Sequence, residues 1–196
     1  FQTSPGRYRA MTALMLLMPG TPMLFQGQEF GARAPFMYFA DHNPELAKAV
    51  QKGRDEFIKQ FPSLASGSVQ RCIPAPHDLQ TFERCKLDWK ERDPNETWVR
   101  LHRDLLAIRR ADVAFRAQEA TALDGAVLGP ELFVLRFATG SPEDERLLVV
   151  NFAPDPEAPS FAEPLVAPPE GHTWQLRWSS GEPEYGGHGT PPVVTD

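Results

Sequence analysis

Hydrophobic positions near the start of the chain recur at helical spacing between two helix-boundary signals. Ser4 is suited to cap a helix and Pro5 to occupy its first turn. The pair Pro19-Gly20 stops the pattern. After Ala10 both faces are apolar, which is typical of a helix that is buried on several sides.

Two further helices are predicted from capping signals. Asn43 and Pro44 open one of them, as cap and first-turn residue. The segment 93–96 carries an acidic residue three positions after the cap candidate Asp93, a capping signature. The helix that follows should end near Arg110 and presents apolar residues at helical spacing: Trp98, Leu101, Leu105 and Ile108. We expect Trp98 in the core and His102, on the same helix, in solvent.

A short apolar run at 22–25 lies between turn residues and is followed by a polar loop with two glycines at 26–31. Such a run suits a buried parallel strand. A helix, a buried strand and a polar loop in this order indicate an α/β architecture, in which the loops beyond the strand ends carry the site.

The periodicity changes to strand-like alternation in the last third of the chain. We predict strands at 131–137, 146–152 and 172–178, separated by proline- and glycine-rich turns. The last of them places Trp174, Leu176 and Trp178 on one side, as sandwich core. Short strands of this kind indicate an antiparallel sandwich or barrel. We therefore predict two domains, residues 1–115 and 116–196.

Composition narrows the function classes. The chain has 196 residues, a formal net charge of −6 and 41% hydrophobic residues, and its cationic residues are spread among acids. Nucleic-acid binders usually carry a basic patch, so we expect no nucleic-acid partner. No apolar run approaches the ~18 residues of a membrane span, so we expect no membrane partner. Cys72 and Cys85 form no CxxC pair, which favours free thiols, a cytoplasmic location and no metal site.

The segment 20–29 reads G-x-P-x-x-x-x-G-x-E. It resembles the last barrel strand of the α-amylase superfamily, together with the helix before it and the loop after it. The form Gln-Gly-Gln-Glu-Phe at 26–30 is similar to that of trehalohydrolases and glycogen branching enzymes. Further segments resemble the malto-oligosyltrehalose trehalohydrolases within the superfamily: 34–42, 45–54, 86–89 and 101–106.

The resemblance implies α/β plus all-β architecture: the C-terminal end of a (β/α)8 TIM barrel, followed by a small antiparallel β-sandwich domain. It implies a retaining glycoside hydrolase of trehalose biosynthesis. Such an enzyme cuts the α-1,4 bond next to the terminal trehalose of a maltooligosyltrehalose, or acts on another α-glucan, and uses no cofactor.

Retaining hydrolysis needs a nucleophilic carboxylate and an acid, which the family carries after earlier strands. This chain starts after those positions. The His-Asp pairs at 41–42 and 77–78 come after the wrong strand, so no catalytic residue is carried over. We expect the chain to be inactive alone and to need the missing N-terminal part of its own chain as a partner.

Five residues are substrate-binding candidates by this resemblance: Gln28, Glu29, Phe36, Tyr38 and Asp41. Glu29 either orients a catalytic group or caps backbone amides in its loop, and Gln28 is suited to bind a sugar hydroxyl. Phe36 and Tyr38 lie in a long loop, as a sugar platform or as local loop core. Asp41 either binds sugar hydroxyls or caps the next helix.

Two alternatives stay open. A 1,4-α-glucan branching enzyme shares the Gln-Gly-Gln-Glu-Phe loop. A stand-alone, non-catalytic sugar-binding module is disfavoured, because a parallel strand between buried helices cannot satisfy its own edges.

Overall fold

The computed structural model describes residues 3–62, 66–67, 73–154 and 162–191. These residues fall into two compact units. One comprises Phe1–Phe30 and Asp93–Asp196, and the other Gly31–Arg92. The domain boundary near residue 115 stays a prediction. The prediction that Cys72 is a free thiol concerns a residue outside the described ranges.

The first unit begins with helix α1, Pro5–Leu17, and also holds helices α4, Glu96–Ala111, and α5, Val113–Arg116. The cap of α1 is confirmed, since the Ser4 side chain accepts a hydrogen bond from the Arg7 N–H. The cap of α4 was wrongly predicted. A turn at 92–95 delays the helix, so its N-cap is Asn95, without a side-chain cap bond.

A three-stranded antiparallel sheet follows in the same unit, in the order β1-β2-β3. Its strands are Leu123–Gly129, Leu132–Phe137 and Arg146–Asn151. The two later strands confirm the prediction for 131–137 and 146–152. Leu123 pairs with Phe137 at one end of β1, and the register shifts between Val127 and Gly129.

The predicted strand at 172–178 is wrong, because this segment pairs with no strand among the described residues. The alternation also fails: Trp174 and Trp178 are half-buried, but Leu176 between them is 68% exposed. Instead of a ladder, side-chain contacts hold the segment. The Trp174 Nε1–H donates to the Val166 carbonyl at 2.7 Å.

The core of this unit lies where α1, α4, α5 and the sheet meet. Phe115 meets Phe137 edge-to-face with ring centroids 4.9 Å apart. The buried members of this cluster are Ala13, Leu16, Leu17, Leu101, Leu105, Ala114, Phe115, Phe137 and Tyr185. Trp98 packs against it, half-buried, in agreement with its predicted place in the core.

The second unit contains helices α2, Pro44–Ile58, and α3, Leu79–Cys85. Asn43 caps α2 as predicted, because its Oδ1 accepts from the Leu46 N–H at 3.0 Å. The loop before α2 is fixed within the unit: the Met37 N–H donates to Cys85 Sγ at 3.3 Å.

Within the described ranges, no helix is both long and apolar enough to cross a membrane. The same residues contain no group of three His, Cys, Asp or Glu side chains placed to hold a metal ion.

Candidate functional site

One arginine binds the backbone between the end of α1 and the polar loop at 26–30. Arg109 of α4 donates from Nη1 to the carbonyl oxygens of Leu16, at 2.6 Å, and Met18, at 2.8 Å. Its Nη2 donates to the Gly20 carbonyl as well. These carbonyls lie at the C-terminal end of α1, where helical partners are missing. Arg109 of α4 therefore stabilises the C-terminal end of α1.

The segment 22–25 is not a strand in the structure, contrary to the prediction. It pairs with no strand among the described residues, and a β-ladder needs a partner. Its apolar side chains are open to solvent: Met23 is 86% exposed, and Leu24 and Phe25 are exposed too.

The loop at 26–30 folds back on this segment. Gly27 is buried and has φ 80°, a conformation in which glycine carries no steric penalty. Gln28 closes the turn twice: its N–H donates to the Phe25 carbonyl at 2.9 Å, and its Oε1 accepts from the Phe25 N–H at 3.1 Å. Phe30 then enters the core at the end of the short 3-10 turn Gln28–Phe30. The loop thus has a defined shape.

Tyr8 of α1 holds this loop through a hydrogen bond. Its hydroxyl donates to the Gln28 carbonyl at 2.6 Å. Its ring meets Trp98 edge-on, with centroids 5.0 Å apart. Burial raises the pKa of Tyr8 above its ordinary value, and the nearby Glu29 carboxylate also raises it. The hydroxyl is therefore a protonated donor at neutral pH.

Gln28 and Glu29 are brought together on this supported turn, and both are half-buried. The alternative role considered for Glu29 was to cap backbone amides in the loop. In the structure the Gln28 side chain caps one of them, because its Oε1 accepts from the Phe25 N–H. A half-buried carboxylate beside a half-buried amide offers an anionic acceptor and an amide donor to a polar ligand.

The other three candidates lie in the second unit. Phe36 is 68% exposed. The Tyr38 ring is partly exposed, and the Arg54 guanidinium lies over it with Cζ 4.5 Å from the ring centroid. Such a stack holds the ring in place through a cation–π contact. Phe39, in the same loop, packs against Phe82 with ring centroids 5.0 Å apart, so this third aromatic ring takes part in local packing.

Asp41 is exposed, and the cap of α2 is Asn43. The capping role considered for Asp41 is thus filled by another residue. In the loop near 77–78, Asp78 caps α3 by accepting a hydrogen bond from the Gln80 N–H at 2.9 Å.

The sequence-based prediction for His102 was wrong, since this residue is buried. Its Nδ1 lies 2.8 Å from the Trp98 carbonyl, one turn earlier on α4. The Tyr8 ring lies next to it, with centroids 6.4 Å apart.

Neither Tyr8 nor Arg109 was identified from the sequence. The residues that they bind are 20 and about 90 positions away, and their own positions on the helices carry no motif.

Comparison with solved structures shows a protein of similar architecture. The chain is similar to the crystal structure of a candidate α-amylase from Salmonella typhimurium, with a TM-score of 0.63 and 26% identity. The match covers 80% of this chain and 26% of that one. A family model described as a domain of unknown function, DUF3459, matches residues 120–194. This similarity agrees with the resemblance of the segment 20–29 to the α-amylase superfamily.

Curated relatives include several malto-oligosyltrehalose trehalohydrolases. The malto-oligosyltrehalose trehalohydrolase of Deinococcus radiodurans is 41% identical over 153 residues, 77% of this chain and 24% of that protein. The trehalohydrolase of Mycobacterium tuberculosis is 44% identical over 115 residues, 56% of this chain and 19% of that protein. The predicted resemblance to the malto-oligosyltrehalose trehalohydrolases is thereby confirmed, and the chain spans about a quarter of these relatives or less.

Proposed function

We propose that this chain is part of a malto-oligosyltrehalose trehalohydrolase. The enzyme cleaves the α-1,4 bond next to the terminal trehalose of a maltooligosyltrehalose and releases free trehalose. The observation that carries this proposal is the 41% identity with the Deinococcus radiodurans trehalohydrolase, which extends over 77% of this chain. That length includes residues of both compact units, since neither unit alone holds 153 residues.

The finer architecture is part of the proposal. Residues 1–115 would form the C-terminal part of a (β/α)8 barrel and residues 116–196 a β-sandwich. The antiparallel sheet of β1, β2 and β3 supports the second assignment. The order of α1, an apolar segment at 22–25 and a polar loop supports the first, because barrel sites lie beyond the C-terminal ends of the strands. The exposed Met23 side chain suits a segment that further barrel residues cover.

We assign substrate contacts to five residues. Gln28 and Glu29 are suited to sugar hydroxyls through their amide and carboxylate groups. Phe36 and Tyr38 are suited to the apolar faces of glucose rings, and the Arg54 stack keeps the Tyr38 ring in one orientation. Asp41, exposed in the same loop, is suited to a hydroxyl at the rim.

The chemistry itself is assigned to residues outside this chain. Retaining hydrolysis uses a carboxylate nucleophile and a carboxylic acid about 5 Å apart across the scissile bond. The resemblance carries neither onto a position of this sequence, so the chain by itself should release no trehalose. We also propose a cytoplasmic location, supported by the free thiol of buried Cys85.

Two substrates test the proposal on the complete protein that contains this chain. Maltotriosyltrehalose is followed by trehalose release and amylose by its iodine colour. Trehalose release with little change in the iodine spectrum is expected. A shifted iodine spectrum without trehalose would identify a branching enzyme instead, and sugar binding without any reaction would favour the non-catalytic module.

A further inference from the structure

The hydrogen bond from Tyr8 joins helix α1 to the candidate loop at one defined peptide group. The Gln28 carbonyl that accepts it, at 2.6 Å, belongs to the peptide plane between Gln28 and Glu29. Holding that plane restrains the ψ angle of Gln28 and the φ angle of Glu29. The directions of both side chains therefore depend on where the Tyr8 hydroxyl lies.

The hydroxyl is itself held firmly. The Tyr8 ring is half-buried and lies edge-on to Trp98, which packs against the core. One turn further along α1, the Thr12 hydroxyl donates to the Tyr8 backbone carbonyl at 2.8 Å. Because burial and the Glu29 carboxylate both raise the pKa of Tyr8, the phenol keeps its proton over the neutral range.

The loop is also anchored on both sides of the peptide that Tyr8 binds. Gln28 ties its own side chain and N–H to Phe25, which closes the turn locally. These bonds lie on the N-terminal side of the peptide plane that Tyr8 holds. Beyond Glu29, Phe30 is buried. The Tyr8 bond thus acts on the peptide between two anchored points.

We infer that Tyr8 is a positioning residue: its hydroxyl fixes the Gln28–Glu29 peptide and so aims both side chains at the substrate. The inference rests on the proposed function for the identity of that substrate. It assigns to α1 a role in the reaction although no Tyr8 atom needs to touch sugar.

The test is Tyr8→Phe in the complete protein, with Tyr185→Phe as the matched control. Tyr185 is also a buried tyrosine of the same unit, and its hydroxyl hydrogen-bonds to Asp104 Oδ2 at 3.0 Å. Both variants lose one phenolic hydrogen bond and keep the ring. Tyr8→Phe should lower kcat for trehalose release about tenfold while KM changes less than about twofold, since misplaced groups reduce rate strongly. Tyr185→Phe should leave both constants unchanged.

Amide hydrogen exchange of 28–30 in the same variants gives a readout that does not depend on trehalose release. Tyr8→Phe should raise exchange in this loop about fivefold or more, and Tyr185→Phe should not, because local opening free energies follow the bonds that hold a segment. Unchanged exchange in Tyr8→Phe overturns the inference. So does unchanged kcat, or an equal fall of kcat in both variants, in an enzyme that releases trehalose.

Failure of the proposed function looks different. A wild-type protein that releases no trehalose refutes that function. Faster exchange confined to Tyr8→Phe would then still support Tyr8 as the residue that positions Gln28 and Glu29.

Discussion

Arg109 joins the two long helices of the first unit, and its removal should be costly. Its guanidinium donates to the Leu16 carbonyl at 2.6 Å, to the Met18 carbonyl at 2.8 Å, to the Gly20 carbonyl and to Gln118 Oε1 at 2.5 Å. A hydrogen bond to a charged group contributes about 1.5–3 kcal/mol. Four at the low end amount to roughly 6 kcal/mol before opposing terms.

Two terms reduce that sum. Ordering the arginine side chain costs about 2 kcal/mol. The site is half-buried, so water replaces part of what the carbonyls lose when the guanidinium is removed. We therefore expect Arg109→Leu to lower the free energy of unfolding by about 2–4 kcal/mol, and Arg109→Lys by less, because an ammonium cannot serve all four acceptors.

The assay is urea unfolding followed by circular dichroism, with Arg103→Leu as control. Arg103 lies on the same helix, but its side chain is 64% exposed and pairs with the adjacent Asp104. That variant should change stability by less than about 0.5 kcal/mol. If both variants shift the midpoint equally at constant m-value, the assigned role of Arg109 is wrong.

Three more outcomes are expected. Asn43→Ala removes the cap of α2 and should cost about 1 kcal/mol, whereas Asn95→Ala, at a helix start without a side-chain cap bond, should cost less than about 0.5 kcal/mol; equal midpoints in urea would refute this. Asp112→Ala leaves Arg146 without its buried partner, 2.7 Å away, and uncaps α5, so we expect a loss of about 3–5 kcal/mol, and a loss below about 1 kcal/mol in the same assay would be a contradiction. Burial raises the pKa of Tyr185 from 10.0 to about 12, so its contribution to stability is complete below pH 10 and is lost as the pH rises towards 12. Unfolding free energies of wild type and Tyr185→Phe measured over that range should therefore converge, and a constant difference would count against the shift.

Local signals predicted helices α1 and α2 well. Ser4 and Asn43 cap α1 and α2 as expected, because a side chain that binds the next turn needs only neighbouring residues. The start of α4 was missed because a competing turn uses the residues around Asp93.

Non-local pairing accounts for the strand errors. β1 contains Gly125 and Gly129 and exposes Val127, so its alternation is weak, and its place in the sheet depends on pairing with β2. The sequence at 172–178 alternates strongly between apolar and polar residues, but the segment has no partner strand among the described residues. A strand is defined by the ladder it joins, which one segment cannot reveal.

The candidate site was predicted only in part. The motif located Gln28 and Glu29 at a shaped loop. It could not identify Tyr8 and Arg109, whose roles depend on contacts with residues distant in the sequence. His102 was placed in solvent because a lone histidine carries no pattern that indicates burial, and here the ring next to it comes from another helix.

The most direct test of the central proposal is the product analysis of maltotriosyltrehalose after incubation with the complete protein that contains this chain. A trehalohydrolase cuts one bond, so trehalose and maltotriose should appear in equal amounts from the first time points, with no free glucose. Glucose or maltose without trehalose, or an intact substrate beside an active Deinococcus radiodurans enzyme as the positive control, would contradict the proposed function.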